Sequence, residues 1–153
     1  MKPESNDLQA LRRFCAFRER SCSELKRKAI SLDIVSTKIS EYEEALKEEG
    51  FLNDSRFATL YVRSKLLHNK WGFYQINQGL SFHGIKDEIR SDAWNSINSD
   101  EYTAILQGIL LKKWNGQNGK DLNDKKQICI RFALSKGFQL EETLSAFKEL
   151  SLG

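Results

Sequence analysis

The 153 residues contain a single proline, Pro3, so 150 consecutive residues run on without the residue that most strongly interrupts a helix. That absence predicts a mainly helical chain. Long apolar runs are missing too: the best stretch, Ile105 to Leu111, is broken by Gln107 and Gly108 and is far short of a membrane span. The first residues, Met1 to Asp7, lack the apolar centre of a secretory signal, which predicts a cytoplasmic protein with no membrane partner. Cysteine is scarce and odd in number, with Cys15, Cys22 and Cys129 and no C-x-x-C pair, so the expectation is reduced thiols packed as small core residues. The two histidines, His68 and His83, have no cysteine or histidine at ligand spacing, which argues against a zinc site.

Catalytic patterns are also lacking. No phosphate-binding glycine loop of the G-x-x-x-x-G-K-[ST] kind occurs. The acidic group Glu41, Glu43, Glu44, Glu48 and Glu49 points around the polar side of a helix and reads as solvated surface. Two scattered histidines support no nucleophile and base arrangement, so no catalytic residue, no metal and no cofactor is expected. With 40% hydrophobic residues the chain buries a real core, and it is expected to work by binding a larger partner.

What is present is helical periodicity. Apolar residues recur three and four apart in nine segments, beginning with Leu8, Leu11 and Cys15; Leu25, Ala29 and Leu32; and Ile39, Tyr42 and Leu46. Phe57, Leu60, Tyr61 and Leu67 follow, then Phe73, Ile76 and Leu80, then Ile89, Ala93 and Ile97. The last three faces are Tyr102, Ile105, Ile109 and Leu110; Ile128 and Phe132; and Leu140, Leu144 and Phe147. Ser21-Cys22-Ser23-Glu24 has capping-box spacing, and Gly50, Gly84 and Gly137 stand where a helix ends in a left-handed residue. The polar, glycine-rich stretch from Asn115 to Asp121 reads as the longest loop.

Three segments superpose by apolar spacing: Leu25, Ala29, Asp33, Ile34; then Ile76, Leu80, Gly84, Ile85; then Cys129, Ala133, Gly137, Phe138. Each reads as the second helix of a triplet, its turn, and the first residue toward the third helix. The predicted fold is all-α: tandem three-helix repeats at 1–52, 53–98 and 99–153, about nine helices, stacked as an elongated, curved solenoid. The alternative is one compact bundle whose segments share only a generic amphipathic pattern.

Charge is blocked along the chain. Residues 12–28 hold seven basic groups against two acidic, 29–55 two against seven, 56–70 four against none, and 112–136 seven against two. Arg56, Arg63 and Lys70 are seven apart, nearly in line if one helix carries them, and Lys65 extends the stripe. Such a line suits successive phosphates or an acidic protein groove. A second basic group comprises Arg12, Arg13, Arg18 and Arg20 with Lys26, Arg27 and Lys28, and a third Lys112 and Lys113 with Lys125, Lys126 and Arg131. Trp94 and Trp114 read as core, and Trp71 as a junction residue.

The segment Gly50-Phe51-Leu52-Asn53-Asp54-Ser55-Arg56-Phe57-Ala58, followed by Tyr61-Val62-Arg63 and Lys70-Trp71-Gly72, resembles the bacterial RecX family of regulatory proteins. Ile76, Leu80, Gly84 and Ile85 fit that family's middle module, and Arg20-Ser21-x-x-Glu24-Leu25 its first; Asp33 stands where the family usually has glycine. The resemblance implies tandem three-helix repeats and a modulator that binds the recombinase RecA along the groove of its filament on DNA, inhibiting strand exchange, ATP hydrolysis and co-protease action. It places partner contacts around Arg56, Arg63, Lys65 and Lys70, with Arg12, Arg13, Lys26, Arg27 and Lys28 assisting. Single- or double-stranded DNA is a further expected ligand, and a monomer the simplest state. Two rival functions fit the same residues: a general basic DNA-binding helical protein, and a helical-repeat module for another protein partner.

Overall fold

The computed structural model describes residues 6–152, and those residues form nine α-helices and no strand. In chain order they are α1 (Asn6–Phe17), α2 (Cys22–Ser31), α3 (Ser36–Glu48), α4 (Asp54–Asn69) and α5 (Phe73–Phe82). Then come α6 (Asp87–Asn95), α7 (Ser99–Asn115), α8 (Leu122–Ser135) and α9 (Leu140–Glu149). Pro3 and most of the leader reading on Met1 to Asp7 lie outside the described residues. The chain divides into two compact units, Met1–Ala58 with Leu80–Arg90 and Thr59–Gly79 with Ser91–Gly153, so that α4, α5 and α6 contribute to both.

Helix boundaries follow local chemistry. Ser21 Oγ accepts from the Glu24 amide at 3.1 Å while the Glu24 carboxylate accepts from the Ser21 amide at 3.2 Å, closing the capping box that starts α2. Asp121 caps α8 by accepting from the Asp124 amide at 2.9 Å, so the polar stretch before it ends as a loop must.

The helix ends repeat one geometry. Asp33, Gly84 and Gly137 all adopt the left-handed region, at φ 60°, 75° and 101°. The next residue then sends its amide back into the helix: Ile34 to the Ala29 carbonyl, Ile85 to Leu80 and Phe138 to Ala133, each at 3.1 Å. Gly50, at φ 82°, ends α3 the same way, with Phe51 bonding to Leu46 at 2.8 Å. Ile34, Ile85 and Phe138 are all buried, so every turn tucks an apolar residue under the helix it has just left. Asp33 does this without being glycine, because a short polar side chain tolerates the left-handed well better than most.

In the first unit Leu11, Cys15, Leu25, Ala29, Ile39 and Leu46 form the core contributed by α1 to α3. In the second, Leu106, Leu110, Trp114, Cys129, Ala133 and Phe147 join α7 to α8 and α9, with Tyr102 and Phe138 at one end and Trp94 packed against them. Each fully buried leucine contributes about 1.5–3 kcal/mol of transfer free energy. Several expected core positions are instead exposed. Leu60, Leu140, Leu144 and Leu32 face solvent, while the covered line of α4 is Phe57, Ala58, Val62 and Leu66, and that of α9 is Thr143, Ala146 and Phe147. Apolar residues surround α4 on more than one side, so spacing alone placed Phe57 in the core correctly and Leu60 wrongly. Cys15 and Cys129 are buried, Cys22 is partly covered, and all three are free thiols.

Candidate basic interface

In the first unit the basic residues fall into two classes. Arg12 makes a two-pronged pair with Glu49, at 2.8 and 2.7 Å, and this guanidinium holds the Glu49 carboxyl below the usual carboxylate range. Arg56 stays exposed but is paired, its Nε 2.8 Å from Glu19 and its Nη2 donating to the Gly50 carbonyl at 2.9 Å. Arg18 and Arg20 converge on the buried Glu24, at 2.7 and 3.8 Å, and His83 Nδ1 lies 3.9 Å from the same carboxylate. Arg20 also donates to the Phe14 carbonyl and lies 3.8 Å over the Phe14 ring, where burial lowers its pKa.

The outward class comprises Arg13, Lys26 and Arg27, all exposed, with Lys28 half-covered beside Phe14 at 5.6 Å. Lys26 is 3.8 Å from Glu43. Beside them stand two phenylalanines that sequence reasoning did not single out: Phe17 is 83% exposed and Phe82 74%. Arg20 reaches over the first ring and Arg27 over the second, each at 5.9 Å. Phe17 and Phe82 interrupt no helical pattern, so nothing in the chain order marked them as exposed.

In the second unit Arg63 is exposed and 4.0 Å from Glu101. Lys65 lies between the rings of Tyr61 and Trp71, at 5.4 and 4.9 Å, and burial raises the Tyr61 hydroxyl above its ordinary value. Lys70 departs from the expected stripe: α4 stops at Asn69, Lys70 is left-handed at φ 56°, and its Nζ donates to the Leu67 carbonyl at 2.7 Å. The reason lies in the next two residues. Trp71 returns its amide to Lys65, and Gly72 donates to the Lys136 carbonyl at 2.8 Å while Tyr74 donates to Gly137 at 3.0 Å. The junction is held by the α8–α9 turn, so the helix cannot continue through it.

That junction places Lys70 on a groove of about 890 Å³ shared with Lys112, Lys113 and Lys136, over a floor of Leu67, Ile105, Ile109 and Phe132. Lys136 carried no site assignment from the sequence. Lys125 and Lys126, expected to join Lys112 and Lys113, instead cover Trp114 and Phe147, at 4.2 and 5.6 Å. The α5 start is fixed by Tyr102, whose hydroxyl accepts from the Phe73 amide at 3.1 Å and donates to Glu142 at 2.9 Å; burial pushes that phenol well up. Phe73 and Trp94 stack at 5.0 Å beside it.

Burial pushes Cys15 up to about 11 and Cys22 to about 12, the latter reinforced by Asp54, and raises Cys129 as well. Such thiols stay protonated and unreactive near neutral pH. Among the described residues no group of three metal-type ligands is found, and no helix is long and apolar enough to cross a membrane.

Residues 53–93 match the family pattern described as RecX, second three-helix domain. A crystal structure of RecX from Lactobacillus salivarius superposes with a TM-score of 0.89 at 26% identity, covering 96% of each chain. The chain is therefore similar to proteins of the RecX family. Proteins named Regulatory protein RecX from Streptococcus gordonii and Clostridium acetobutylicum are each 28% identical to it, over 90% and 96% of its length. It spans about half of the S. gordonii protein, 52%, and 71% of the C. acetobutylicum one.

Proposed function

We propose that the chain binds the filament of the recombinase RecA along its groove and modulates it, mainly by inhibiting strand exchange, ATP hydrolysis and co-protease action. The observation that carries this reading is the likeness, over nearly the whole chain, to proteins named as RecX regulators. The physical setting supports it: outward basic groups recur in both units, and three-helix modules at 1–52, 53–98 and 99–153 give several weak contacts that add when linked. The chain acts as a monomer in the cytoplasm, as a binder and not a catalyst.

Arg63, Lys65 and Lys70 are the contacts we assign first, with Arg13, Lys26, Arg27 and Lys28 assisting. Arg12 and Arg56 are engaged internally by Glu49 and Glu19, and they contribute by shaping the first unit. The test is a titration of the chain into RecA on single-stranded DNA while nucleotide hydrolysis is followed. Inhibition by the parent and a clear loss with Arg63→Glu plus Lys70→Glu, at unchanged circular dichroism, supports the assignment; full inhibition by the folded double variant removes it.

The exposed Phe17 and Phe82 beside Arg20 and Arg27 favour a second reading, direct binding of single-stranded DNA by stacking and charge. Equal affinity for naked and RecA-coated DNA at physiological salt selects it over the first.

A further inference from the structure

We propose that the groove at the ends of α4, α7 and α8 is a docking site for an acidic, amphipathic helix of a partner protein. The inference goes beyond the recombinase reading and does not depend on it. Its first support is charge. Lys70, Lys112, Lys113 and Lys136 line the groove, and among the described residues none of the four forms an ion pair with a carboxylate. The one acidic lining residue, Glu101, has Arg63 4.0 Å away, so its charge is offset. A surface of this sign calls for carboxylates.

The second support is the floor. Leu67, Ile105 and Ile109 are aliphatic, and Phe132 has Lys113 4.7 Å over its ring. Aliphatic side chains take up leucine or isoleucine from a partner; they offer no open aromatic face on which a nucleic-acid base stacks. Third, Gly108 opens the wall. It lies on the exposed side of α7, and a Cβ added there meets nothing within 4 Å, so a second backbone can come close to this helix. An apolar floor, an open helix wall and a rim of flexible ammonium groups together match an amphipathic helix whose opposite side is acidic. Lysines reach individual carboxylates spread along such a helix without demanding a fixed two-pronged geometry.

The experiment uses the full chain and a fluorescein-labelled synthetic peptide of about 16 residues, with leucines at helical spacing and glutamates on the other side. Anisotropy is measured against a scrambled peptide of equal composition and against oligo-thymidine of equal charge. The proposal expects saturable binding, weakened at least about tenfold by scrambling, by Gly108→Trp and by Lys112→Glu with Lys136→Glu, and falling as salt rises. Melting curves of the variants are recorded; if the tryptophan variant fails to fold, the charge reversal alone decides. Equal binding of the scrambled peptide, tighter binding of the oligonucleotide, unchanged affinity in the folded variants, or no binding overturns the proposal. Neither RecA nor its filament is in the assay, so failure here leaves the recombinase reading to its own test.

Discussion

Gly72 and Gly137 meet backbone to backbone, with the Gly72 amide 2.8 Å from the Lys136 carbonyl and the Gly137 carbonyl accepting from Tyr74 at 3.0 Å. No side chain fits at either position. A Cβ on Gly72 would lie 2.4 Å from the Phe138 amide nitrogen, and one on Gly137 would lie 2.7 Å from the Gln75 amide nitrogen. This contact stops α4 short of Lys70 and so decides which lysines share the groove.

Replacing either glycine by alanine is therefore expected to lower stability by about 2 kcal/mol or more, because backbone must move to clear the methyl group. Gly137→Ala should be the worse of the two, since its φ of 101° adds conformational strain. Thermal melts should fall by about 4–8 °C. A melt within a degree of the parent for Gly72→Ala would remove the claim that this approach is tight. Gly108→Ala serves as the opposite control, rising by about 0.5–1 kcal/mol because that helical position is open.

Asp33→Gly should stabilise the chain by about 0.5–1 kcal/mol. Asp33 occupies the left-handed well at φ 60° and is exposed, so its side chain is strained without being packed. Urea unfolding of parent and variant measures it. A variant that is less stable would mean that the aspartate makes a compensating interaction in the turn.

Features set by neighbours in the chain were legible in the sequence, and those set by distant partners were not. The Ser21–Glu24 box, the left-handed glycines Gly50, Gly84 and Gly137 and the loop before Asp121 depend on residues within a few positions, and the sequence placed them. The fate of the basic residues depends on partners far along the chain. Arg12 finds Glu49 and Lys26 approaches Glu43, so part of the basic block at 12–28 is balanced by the acidic block that follows it. Lys70 leaves its helix because Gly72 bonds to Lys136, a relationship no periodicity contains. Leu60 was misplaced for a similar cause: Val62 and Leu60 are equally apolar, and only packing distinguishes them.

The thiols give a pH dependence with a definite sign. An unfolded cysteine releases its proton near 9.0, whereas burial holds Cys15 to about 11 and Cys22 to about 12. Folding therefore retains protons that the unfolded chain gives up. This contribution is intact below pH 9 and is lost as pH rises toward 11 and 12, with Tyr102 acting in the same direction. Melting temperature should fall steadily above about pH 9, and Ellman's reagent at pH 8 should label the folded chain slowly and all three thiols after unfolding. Rapid labelling of the folded chain would show that the thiols are not held this way.

Glu24 and Glu49 both pair with arginine, yet breaking the two pairs should differ severalfold in its effect on stability. Glu24 is buried, caps α2, and faces Arg18, Arg20 and His83, so Glu24→Ala leaves Arg20 without its carboxylate in a covered site. A loss of about 3–4 kcal/mol is expected. The Arg12–Glu49 pair is at the surface, where solvent screens it, and Arg12→Ala should lose less than about 1 kcal/mol. Its pH signature runs opposite to that of the thiols: Glu49 is held below its unfolded value of 4.5, so the pair contributes above that pH and fades as pH falls through the folded value. Unfolding of both variants at pH 7 and pH 3 separates the two cases. The difference between Arg12→Ala and the parent should shrink at pH 3, and equal losses for the two variants at pH 7 would mean that burial does not set the strength of these pairs.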